Sequence, residues 1–568
     1  MQIKHTKNYI PDYPRPRLTR KQWTSLNGEW RFAEGKRSSF ADCERTINVP
    51  FAPECKLSGI NKLIEDGYVT YAKKINLVKR GRVLLHFDGV DYKTSLFVNG
   101  TFVAENVGAY HRFTADITDY VADGENEILL QVYDSMDRTQ VRGKQRWENK
   151  VYACFYVQTT GIWKSVWLEQ VPDAYVADLQ IATYGNRADF AVSTVGAAGS
   201  ELTVAVSRGD FSAATSAVIG GGVTHLSLTV DSPDMWSADS PDLYDVEVFI
   251  KTDGRITDTV GSYFGFRDVE ARDRRILVNG KTEYLKMLLV QGYWIDGHLT
   301  PSCEREISND VIAIKQMGFN GARMHQKIED DRFYYYCDVL GLYVWCEMPN
   351  MYTYTKQSAA AFAAEWRKVV EQHKSFPSII AWVPFNESWG LNDDEMVDNK
   401  EIQAFVNDVC DYTRSVDARF VISNDGWEHT VSDLLTIHQY EQNADRFYGN
   451  YSFQQTTEGS PLNSRKPYCK GYKYGGQPIL FTEFGGCSFK RDLTADAWGY
   501  GDAAENELEF AERLNGLISA IENMDFCSGW CYTQFTDVQQ EVNGLLTEDR
   551  RFKLPAQTVN NIVRKKQL

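Results

Sequence analysis

From about Arg267 onward, strand-like apolar runs alternate with stretches of helical character. The strand candidates are Tyr284–Val290, Gly321–Met324, Leu342–Cys346, Ile379–Phe385, Phe420–Ser423, Leu434–Ile437, Ile479–Thr482 and Gly529–Thr533. The helix candidates between them are Ser308–Met317, Asp330–Leu340, Ala359–His373, Ile402–Ser415 and Ala503–Asn523. This alternation predicts a (β/α)8 TIM barrel. The alternative is a doubly wound open sheet, which usually begins with a Gly-rich phosphate loop, and the sequence has no G-x-G-x-x-G or Walker-type motif.

The chain before the barrel has the pattern of β-sandwiches. Short apolar runs such as Arg82–Gly89 and Glu127–Tyr133 are separated by turn signals, and Asn99-Gly100 between two apolar runs is a strong hairpin signal. The strand candidates after Tyr175 are shorter and more polar. We therefore predict three domains: a β-sandwich over 1–172, a second, smaller β-sandwich over 173–267, and the TIM barrel over 268–568.

Composition excludes several classes of partner. The net charge of -16 argues against a nucleic-acid-binding surface, which needs clustered Lys and Arg. No apolar run is long enough to span a bilayer, and the N-terminal stretch has no apolar secretory core. The eleven Cys are scattered without a C-x-x-C pair, which favours reduced thiols in a cytoplasmic protein. We expect no membrane contact, no metal and no cofactor.

Carboxylates stand at or just past the ends of several predicted barrel strands. They are Glu347, Glu387, Asp425, Glu441 and Glu483. Barrel enzymes place catalytic groups at this rim, and glycoside hydrolysis needs two carboxyl groups, one protonated and one ionised. Strands four and seven lie on opposite sides of a barrel mouth, so Glu387 and Glu483 could face each other. Physical chemistry alone does not choose this pair from the five.

At these residues the chain resembles glycoside hydrolase family 2, which contains β-galactosidases and β-glucuronidases. Asn386-Glu387-Ser388-Trp389-Gly390 resembles the family's acid/base motif, and Thr482-Glu483-Phe484-Gly485-Gly486 resembles its nucleophile motif. The N-terminal stretches Tyr13–Pro16, Leu26–Trp30, Val49–Phe51 and Thr160–Trp163 match its jelly-roll sugar-binding domain. By the same resemblance, the domain over 173–267 looks like the family's immunoglobulin-like β-sandwich, and the domain over 268–568 looks like its catalytic TIM barrel. The resemblance implies a retaining exo-β-glycosidase in which Glu387 is the acid/base and Glu483 is the nucleophile.

The resemblance also implies roles for neighbouring residues. Asn386 would hydrogen-bond the sugar 2-hydroxyl, Tyr440 would hydrogen-bond Glu483, and Trp530 would form an apolar floor for the sugar. Arg323 would lower the pKa of Glu483, with an ion pair to Glu347 as the structural alternative. The other rim residues that could contact sugar hydroxyls are His325, Asn424, Asp425, Trp427 and His438. The segment Arg142–Trp147 could reach over the barrel mouth, although a solvated basic loop is the alternative.

The identity of the sugar stays open at this point. A β-galactosidase is the simplest expectation, with an arabinoside, a galactofuranoside or a uronide as alternatives. Family β-glucuronidases carry Asn-x-Lys after the eighth strand, and Asn543-Gly544-Leu545 has no lysine there, although another Arg or Lys could substitute. A non-catalytic carbohydrate-binding protein is the alternative from another class. We expect an oligosaccharide or glycoside as the substrate, and homo-oligomers are possible because family members often form them.

Overall fold

A computed structural model describes residues 3–459 and 465–565. The described chain forms two β-sandwiches followed by an eight-stranded, curled parallel sheet with helices packed around it. This architecture confirms the predicted fold class. The domain boundaries given above stay predictions.

The first β-sandwich consists of two antiparallel sheets. Its strands are β1 (Trp23–Ser25), β2 (Gly28–Glu34), β3 (Arg45–Val49), β4 (Gly67–Leu77), β5 (Arg82–Phe87), β6 (Val90–Asp91), β7 (Lys93–Val98), β8 (Thr101–Val107), β9 (Phe113–Asp116), β10 (Gly124–Asp134), β11 (Gly161–Ile162) and β12 (Val166–Val171). The sheet orders are β3-β2-β4-β10-β7-β8 and β1-β12-β5-β9. Alternating residues of β10, such as Ile128, Leu130 and Val132, are fully buried between these sheets, as a period of two requires.

The second β-sandwich is smaller. Its strands are β13 (Tyr175–Tyr184), β14 (Arg187–Val195), β15 (Glu201–Arg208), β16 (Phe211–Val218), β17 (Val223–Thr229), β18 (Tyr244–Thr252) and β19 (Arg255–Phe264). They form the sheets β13-β14-β17 and β16-β15-β18-β19. A three-stranded sheet of β20 (Val269–Arg272), β21 (Arg275–Val278) and β22 (Lys281–Glu283) then leads into the barrel.

Strands of the barrel that are consecutive in sequence are neighbours in the sheet, apart from the fifth and the sixth, which lie at its two ends. The strands are β23 (Leu285–Val290), β24 (Gly321–Met324), β25 (Tyr343–Glu347), β26 (Ile379–Val383), β27 (Phe420–Val421), β28 (Leu435–His438), β29 (Ile479–Gly485) and β30 (Cys527–Thr533). Their order in the sheet is β27-β26-β25-β24-β23-β30-β29-β28. The helices are α1 (Glu304–Gln316), α2 (Asp331–Leu340), α3 (Lys356–His373), α4 (Lys400–Val416), α5 (Ala444–Gly449), α6 (Phe453–Glu458), α7 (Glu507–Glu522) and α8 (Ala556–Val563). Strand β30 pairs with β23 in parallel, which curls the sheet so that the strand ends face one mouth.

Alternation along each barrel strand separates two apolar layers. Met287 and Leu289 of β23 pack inside the barrel with Trp345 of β25, whereas Leu288 and Val290 pack outward against the helices. Because successive side chains of a strand point to opposite faces, this alternation also decides which polar side chains reach the mouth. Among the described residues, no helix combines the length and the apolar character needed to cross a membrane.

A buried arginine joins the first sandwich to the barrel. Arg112 donates hydrogen bonds of 2.7 Å to Asp88 of its own domain and of 2.7 Å to Asp331, the first residue of α2. The side chains of Arg112, Asp88 and Asp331 are 8%, 2% and 4% exposed. Because water hydrates neither carboxylate well, the charge of Arg112 stabilises the ionised forms of Asp88 and Asp331 in place of hydration.

Replacing Arg112 with Met should lower the free energy of unfolding by about 3–5 kcal/mol, because two buried carboxylates would lose their cation. Urea denaturation followed by circular dichroism measures this change. The matched control is Arg82→Met, which removes the exposed ion pair with Asp116 in the same domain and should change stability little. Equal losses in the two variants would contradict this account of the interface.

Candidate active site

The barrel mouth brings together four of the five rim carboxylates. Glu347 ends β25, Glu387 follows β26, Asp425 follows β27 and Glu483 lies within β29. All four contact either Arg323 or His438. Glu441 does not join them: it forms an ion pair of 3.1 Å with Arg446 and accepts a hydrogen bond from the backbone of Asn443. The structure therefore reduces the candidates from five to four.

The guanidinium of Arg323 lies at the centre of this cluster. It contacts Glu347 at 2.7 Å, Asp425 at 2.9 Å and Glu483 at 2.8 Å. It also donates a hydrogen bond of 2.6 Å to Oδ1 of Asn386. Burial by itself would lower the pKa of Arg323, but the carboxylates of Asp425, Glu347 and Glu483 hold it well above its ordinary value. Both alternatives for Arg323, support of Glu483 and pairing with Glu347, are therefore present at once.

The carboxyl group of Glu483 is held in its ionised form. Burial alone would raise its pKa, but His438, Arg323, His325 and a hydrogen bond from Tyr440 lower it to about 2. The Tyr440 hydroxyl donates that bond over 2.6 Å to Oε2. The ring of Tyr500 stacks on the ring of Tyr440 with the two centroids 3.4 Å apart, and this contact fixes the orientation of Tyr440. The contacts expected of Arg323 and Tyr440 are thus present.

Glu387 has the opposite electrostatic environment. Burial and the nearby charge of Glu483 raise its pKa, although His438 opposes this shift. One oxygen of Glu387, one oxygen of Glu483 and one ring nitrogen of His438 lie within 4.8 Å of one another. Two close carboxyl groups with pKa values shifted in opposite directions are suited to the separate tasks of acid and nucleophile.

His438 occupies the space between the two carboxyl groups. Its Nδ1 lies 2.6 Å from Glu387 and 3.6 Å from Glu483, and its Nε2 lies 3.4 Å from Asp425. Burial would lower its pKa, but the charge of Glu483 and the hydrogen bonds with Asp425 and Glu387 raise it to about 10. One atom each of Glu387, His438 and Glu483 has a spacing that could also surround a cation.

Two asparagines hold the acid/base turn in different ways. Asn424 accepts a hydrogen bond of 2.8 Å from the backbone N–H of Ser388 and contacts the Ser388 hydroxyl at 3.0 Å. Glu387 and Ser388 have φ angles of 54° and 59°, so Asn424 stabilises an unfavourable backbone conformation. Asn386 instead keeps a buried Nδ2 that makes no hydrogen bond within the described ranges. That donor suits a sugar hydroxyl.

The other predicted sugar contacts His325 and Trp427 lie against residues of the carboxylate cluster. Nδ1 of His325 lies 2.9 Å from Glu347, and Trp427 packs edge-on to His438 with the two ring centroids 5.5 Å apart.

Trp530 does not form a sugar floor. Its ring packs against Phe319 and Phe484 on the helix side of β30, and its indole N–H donates to Glu522 of α7. That prediction is wrong because Cys531 and Thr533, one and three residues later, occupy the inward face.

The first-domain segment Arg142–Trp147 enters the barrel mouth. The backbone N–H groups of Arg142 and Gly143 both donate to the carbonyl oxygen of Asn350, at 2.9 and 3.0 Å. Gly143 has a φ of 61°, and a Cβ there would stand 2.4 Å from the carbonyl oxygen of Gln326. Only glycine allows this close approach, so the alternative of a solvated basic loop is wrong.

This segment supplies a cation that sequence reasoning did not select. Lys144 is 6% exposed, and its ammonium lies 4.6 Å above the ring of Trp389. Burial opposes its charge, but Cys154, Glu541, Glu483 and Glu387 hold the pKa of Lys144 above its ordinary value. Among the described residues, Lys144 forms no ion pair. Glu541, Glu483 and Glu387 thus favour the charged form of Lys144 without a direct ion pair.

The loop after β30 adds two more polar groups that were missed. Glu541 is buried, accepts a hydrogen bond of 2.6 Å from Tyr156 of the first domain, and accepts another of 3.0 Å from Asn543. Asn543 in turn accepts a hydrogen bond of 2.6 Å from Gln534. The signal that could have found them is their position just after the eighth strand, where loops of a barrel carry function.

Sequence profiles of one family cover most of this chain. The profile of the glycosyl hydrolases family 2 sugar binding domain matches residues 60–172. The profile named glycosyl hydrolases family 2 matches residues 174–267, and the family's TIM barrel domain matches residues 269–489. The chain therefore belongs to glycoside hydrolase family 2, and the family resemblance drawn from the sequence is confirmed.

Two relatives of known description cover shorter stretches. A putative beta-glucuronidase of Formosa agariphila is 28% identical over 357 residues, which cover 59% of this chain and 41% of the relative. A beta-galactosidase of Streptococcus thermophilus is 25% identical over 461 residues, which cover 69% of this chain and 42% of the relative. The matched part of the chain thus spans about two fifths of the length of each.

Solved structures share the whole fold. A GH2 beta-galacturonidase from Eisenbergiella tayi, bound to galacturonate, superposes with a TM-score of 0.77 at 18% identity, covering 98% of this chain and 100% of that one. A Bacteroides uniformis beta-glucuronidase superposes with a TM-score of 0.78 at 19% identity, covering 96% of this chain and 70% of that one. At this identity the similarity establishes the fold alone.

The protonated state of His438 predicts a particular dependence of stability on pH. The folded pKa of about 10 lies above the ordinary value of 6.5, so its stabilisation is complete below pH 6.5 and is lost as the pH rises through 10. The urea midpoint of the wild type should therefore exceed that of His438→Asn most near pH 6.5, and the difference should shrink towards pH 10. The control His225→Asn changes an exposed histidine and should leave the midpoint unchanged. A difference independent of pH would contradict protonation of His438.

Proposed function

We propose that the protein is a retaining exo-β-glycosidase that removes terminal β-linked sugars by double displacement. The observation that carries this proposal is the pair Glu387 and Glu483, with oxygens within 4.8 Å and pKa values raised and lowered respectively. Retaining glycosidases keep their two carboxyl groups about 5–5.5 Å apart, whereas inverting enzymes need a wider gap for a water molecule.

In the first step, Glu483 attacks the anomeric carbon and Glu387 donates its proton to the glycosidic oxygen, which leaves with its aglycone. A glycosyl-enzyme ester on Glu483 results. In the second step, Glu387 takes a proton from water, the water oxygen attacks the anomeric carbon, and Glu483 leaves as a carboxylate. Two inversions keep the β configuration of the released sugar.

The surrounding residues support these steps. Arg323 and Tyr440 keep Glu483 ionised, and the free Nδ2 of Asn386 is placed to donate to the sugar 2-hydroxyl. His438 places a positive charge between the carboxyl groups of Glu387 and Glu483. The first-domain segment around Lys144 closes one side of the mouth, which favours an exo action on terminal sugars.

A β-galactoside is the first substrate to consider, since the family includes β-galactosidases and one relative carries that description. A uronide is the second candidate, and the specific observation in its favour is Lys144. This buried ammonium without an ion-pair partner would be matched by the carboxylate of a sugar acid. The missing Asn-x-Lys lysine therefore does not decide against a uronide.

The catalytic assignment predicts the behaviour of two variants on nitrophenyl β-glycosides. Glu483→Gln should lose on the order of 10⁴-fold in kcat while folding normally, because no nucleophile remains. Glu387→Ala should be rescued by azide, which needs no general base, and should yield a β-glycosyl azide. The wild type should release the β-anomer first, as followed by proton NMR. Release of the α-anomer, or full activity in Glu483→Gln, would overturn the retaining assignment.

If no β-linked sugar is hydrolysed and no 2-fluoro glycoside labels Glu483, the carbohydrate-binding alternative replaces the enzyme. Glycan binding without turnover would then be the expected result.

Lys144 decides between the two sugar classes. If the substrate is a uronide, Lys144→Met should lower kcat/KM about 100-fold on nitrophenyl β-galacturonide or β-glucuronide, since a buried charge-assisted contact is lost. The same variant should change kcat/KM on nitrophenyl β-galactoside only a few-fold. Lys150→Met, in the same loop but exposed, is the control and should change neither. A wild type that prefers the neutral galactoside would reject the uronide candidate.

A further inference from the structure

A cavity opens where the turn after β26 meets the first sandwich. It has a volume of about 460 Å³ and is lined by Arg138, Trp147, Phe155, Tyr352, Thr353, Trp389, Gly390 and Asn392. We call it the aromatic cleft. The acid/base chemistry does not account for its four aromatic side chains, one of which, Trp389, lies under the ammonium of Lys144.

Two domains build the aromatic cleft together. Arg138, Trp147 and Phe155 come from the first sandwich, and the other lining residues follow β25 and β26 of the barrel. The Tyr352 N–H donates to the carbonyl oxygen of Arg138 at 2.7 Å, and the Tyr352 hydroxyl donates to that of Gly143 at 2.6 Å. These backbone contacts fix the two walls relative to each other.

The aromatic rings of the cleft form one continuous group. Trp147 lies 4.3 Å from Phe155 and 4.2 Å from Tyr352, measured between ring centroids. Trp389 lies 5.8 Å from Phe155 and 5.9 Å from Tyr352. Trp147, Phe155 and Trp389 are only partly buried, so they present aromatic surface to the cavity.

One wall of the cleft continues from the turn that carries Glu387, the proposed acid/base. Trp389 is two residues after Glu387 on the same turn. The ammonium of Lys144 lies 4.6 Å above the ring of Trp389, and the charges of Glu387 and Glu483 raise the pKa of Lys144. An acid that protonates the glycosidic oxygen must stand beside the departing group. The aglycone therefore leaves towards the side of the mouth where the aromatic cleft opens.

We propose that the aromatic cleft binds the leaving group of the substrate, and that this group is a second sugar ring. The inference rests on the proposed function. The faces of a pyranose ring carry C–H groups that pack on indole and phenol rings, while its edge carries hydroxyl groups. The guanidinium of Arg138, the hydroxyl of Thr353 and the amide of Asn392 supply polar partners at the rim. Arg138 donates one hydrogen bond to the carbonyl oxygen of Tyr352, and Asn392 donates one to Glu395. Both side chains have further N–H groups that a sugar could use and a purely apolar aglycone could not.

The second chemical step offers a direct test of the cleft, because a sugar bound there can replace water. Its hydroxyl oxygen forms a bond to the anomeric carbon, its proton goes to Glu387, and the ester bond to Glu483 breaks to leave a carboxylate. Atoms and charge balance without any further reactant. A 2-fluoro glycosyl-enzyme reacts slowly enough for this transfer to be measured as reactivation.

The experiment measures reactivation of the full-length, 2-fluoro-labelled protein with methyl β-glucoside, methyl β-xyloside or benzyl alcohol as acceptor. The two sugars should accelerate reactivation with saturation, and benzyl alcohol should be much weaker. Trp147→Ala should lower the second-order reactivation constant for the sugars about tenfold, the scale of one lost aromatic contact. Trp147→Phe should stay within about threefold of the wild type, because it keeps an aromatic face. Each acceleration by a sugar is expressed relative to reactivation by water alone in the same variant.

Phe102→Ala is the matched control, because this aromatic residue of the same domain is 50% exposed. It should behave as the wild type with every acceptor. The inference is overturned if sugars do not accelerate reactivation, if Trp147→Ala responds to sugars as the wild type does, or if benzyl alcohol alone is effective. Failure of every 2-fluoro sugar to label Glu483 is a different result, since it removes the proposed function and the inference with it.

Discussion

The site depends on the ion pairs that the guanidinium of Arg323 forms with its neighbouring carboxylates. The guanidinium is fully buried and contacts three carboxylates and Asn386. Without it, Glu347, Asp425 and Glu483 would bring three carboxyl groups into one buried cluster, at a cost of several kcal/mol for each one that is ionised. With it, Asp425 and Glu483 can both have lowered pKa values. The cluster therefore remains strongly charged yet stable.

The opposite shift of Glu387 follows from its position at the edge of this network. Among the residues that the structure describes, Glu387 forms no ion pair with Arg323. Its carboxyl group contacts His438 at 2.6 Å, while burial and the charge of Glu483 raise its pKa. Two carboxyl groups of the same chemical type thus acquire different proton affinities from their neighbours alone. Asn424 maintains the difference by holding the turn at Glu387 and Ser388 in its left-handed conformation.

Much of the barrel could be predicted because its signals are local. The strand Gly321–Met324 was predicted with the bounds that the structure gives, and apolar runs between helical stretches located the other seven. Strands such as β4, Gly67–Leu77, were missed because Lys73, Lys74 and Asn76 interrupt its apolar pattern. Trp530 was misplaced because a shift of one residue along a strand exchanges the two faces. Lys144 and Glu541 were missed because 397 residues separate them, and only tertiary contacts through Tyr156 bring them near each other.

The position of Lys144 explains why this chain needs its first sandwich beside the barrel. Arg112 fastens that domain to α2, and Gly143 lets the following lysine approach the catalytic carboxyl groups. Both carboxyl groups of the proposed mechanism come from the barrel. The cation at the mouth and two of the four aromatic rings of the cleft come from the first sandwich. Under the proposed function, changes in the loop Arg138–Phe155 would therefore alter the choice of substrate while Arg323, Glu387 and Glu483 stay in place.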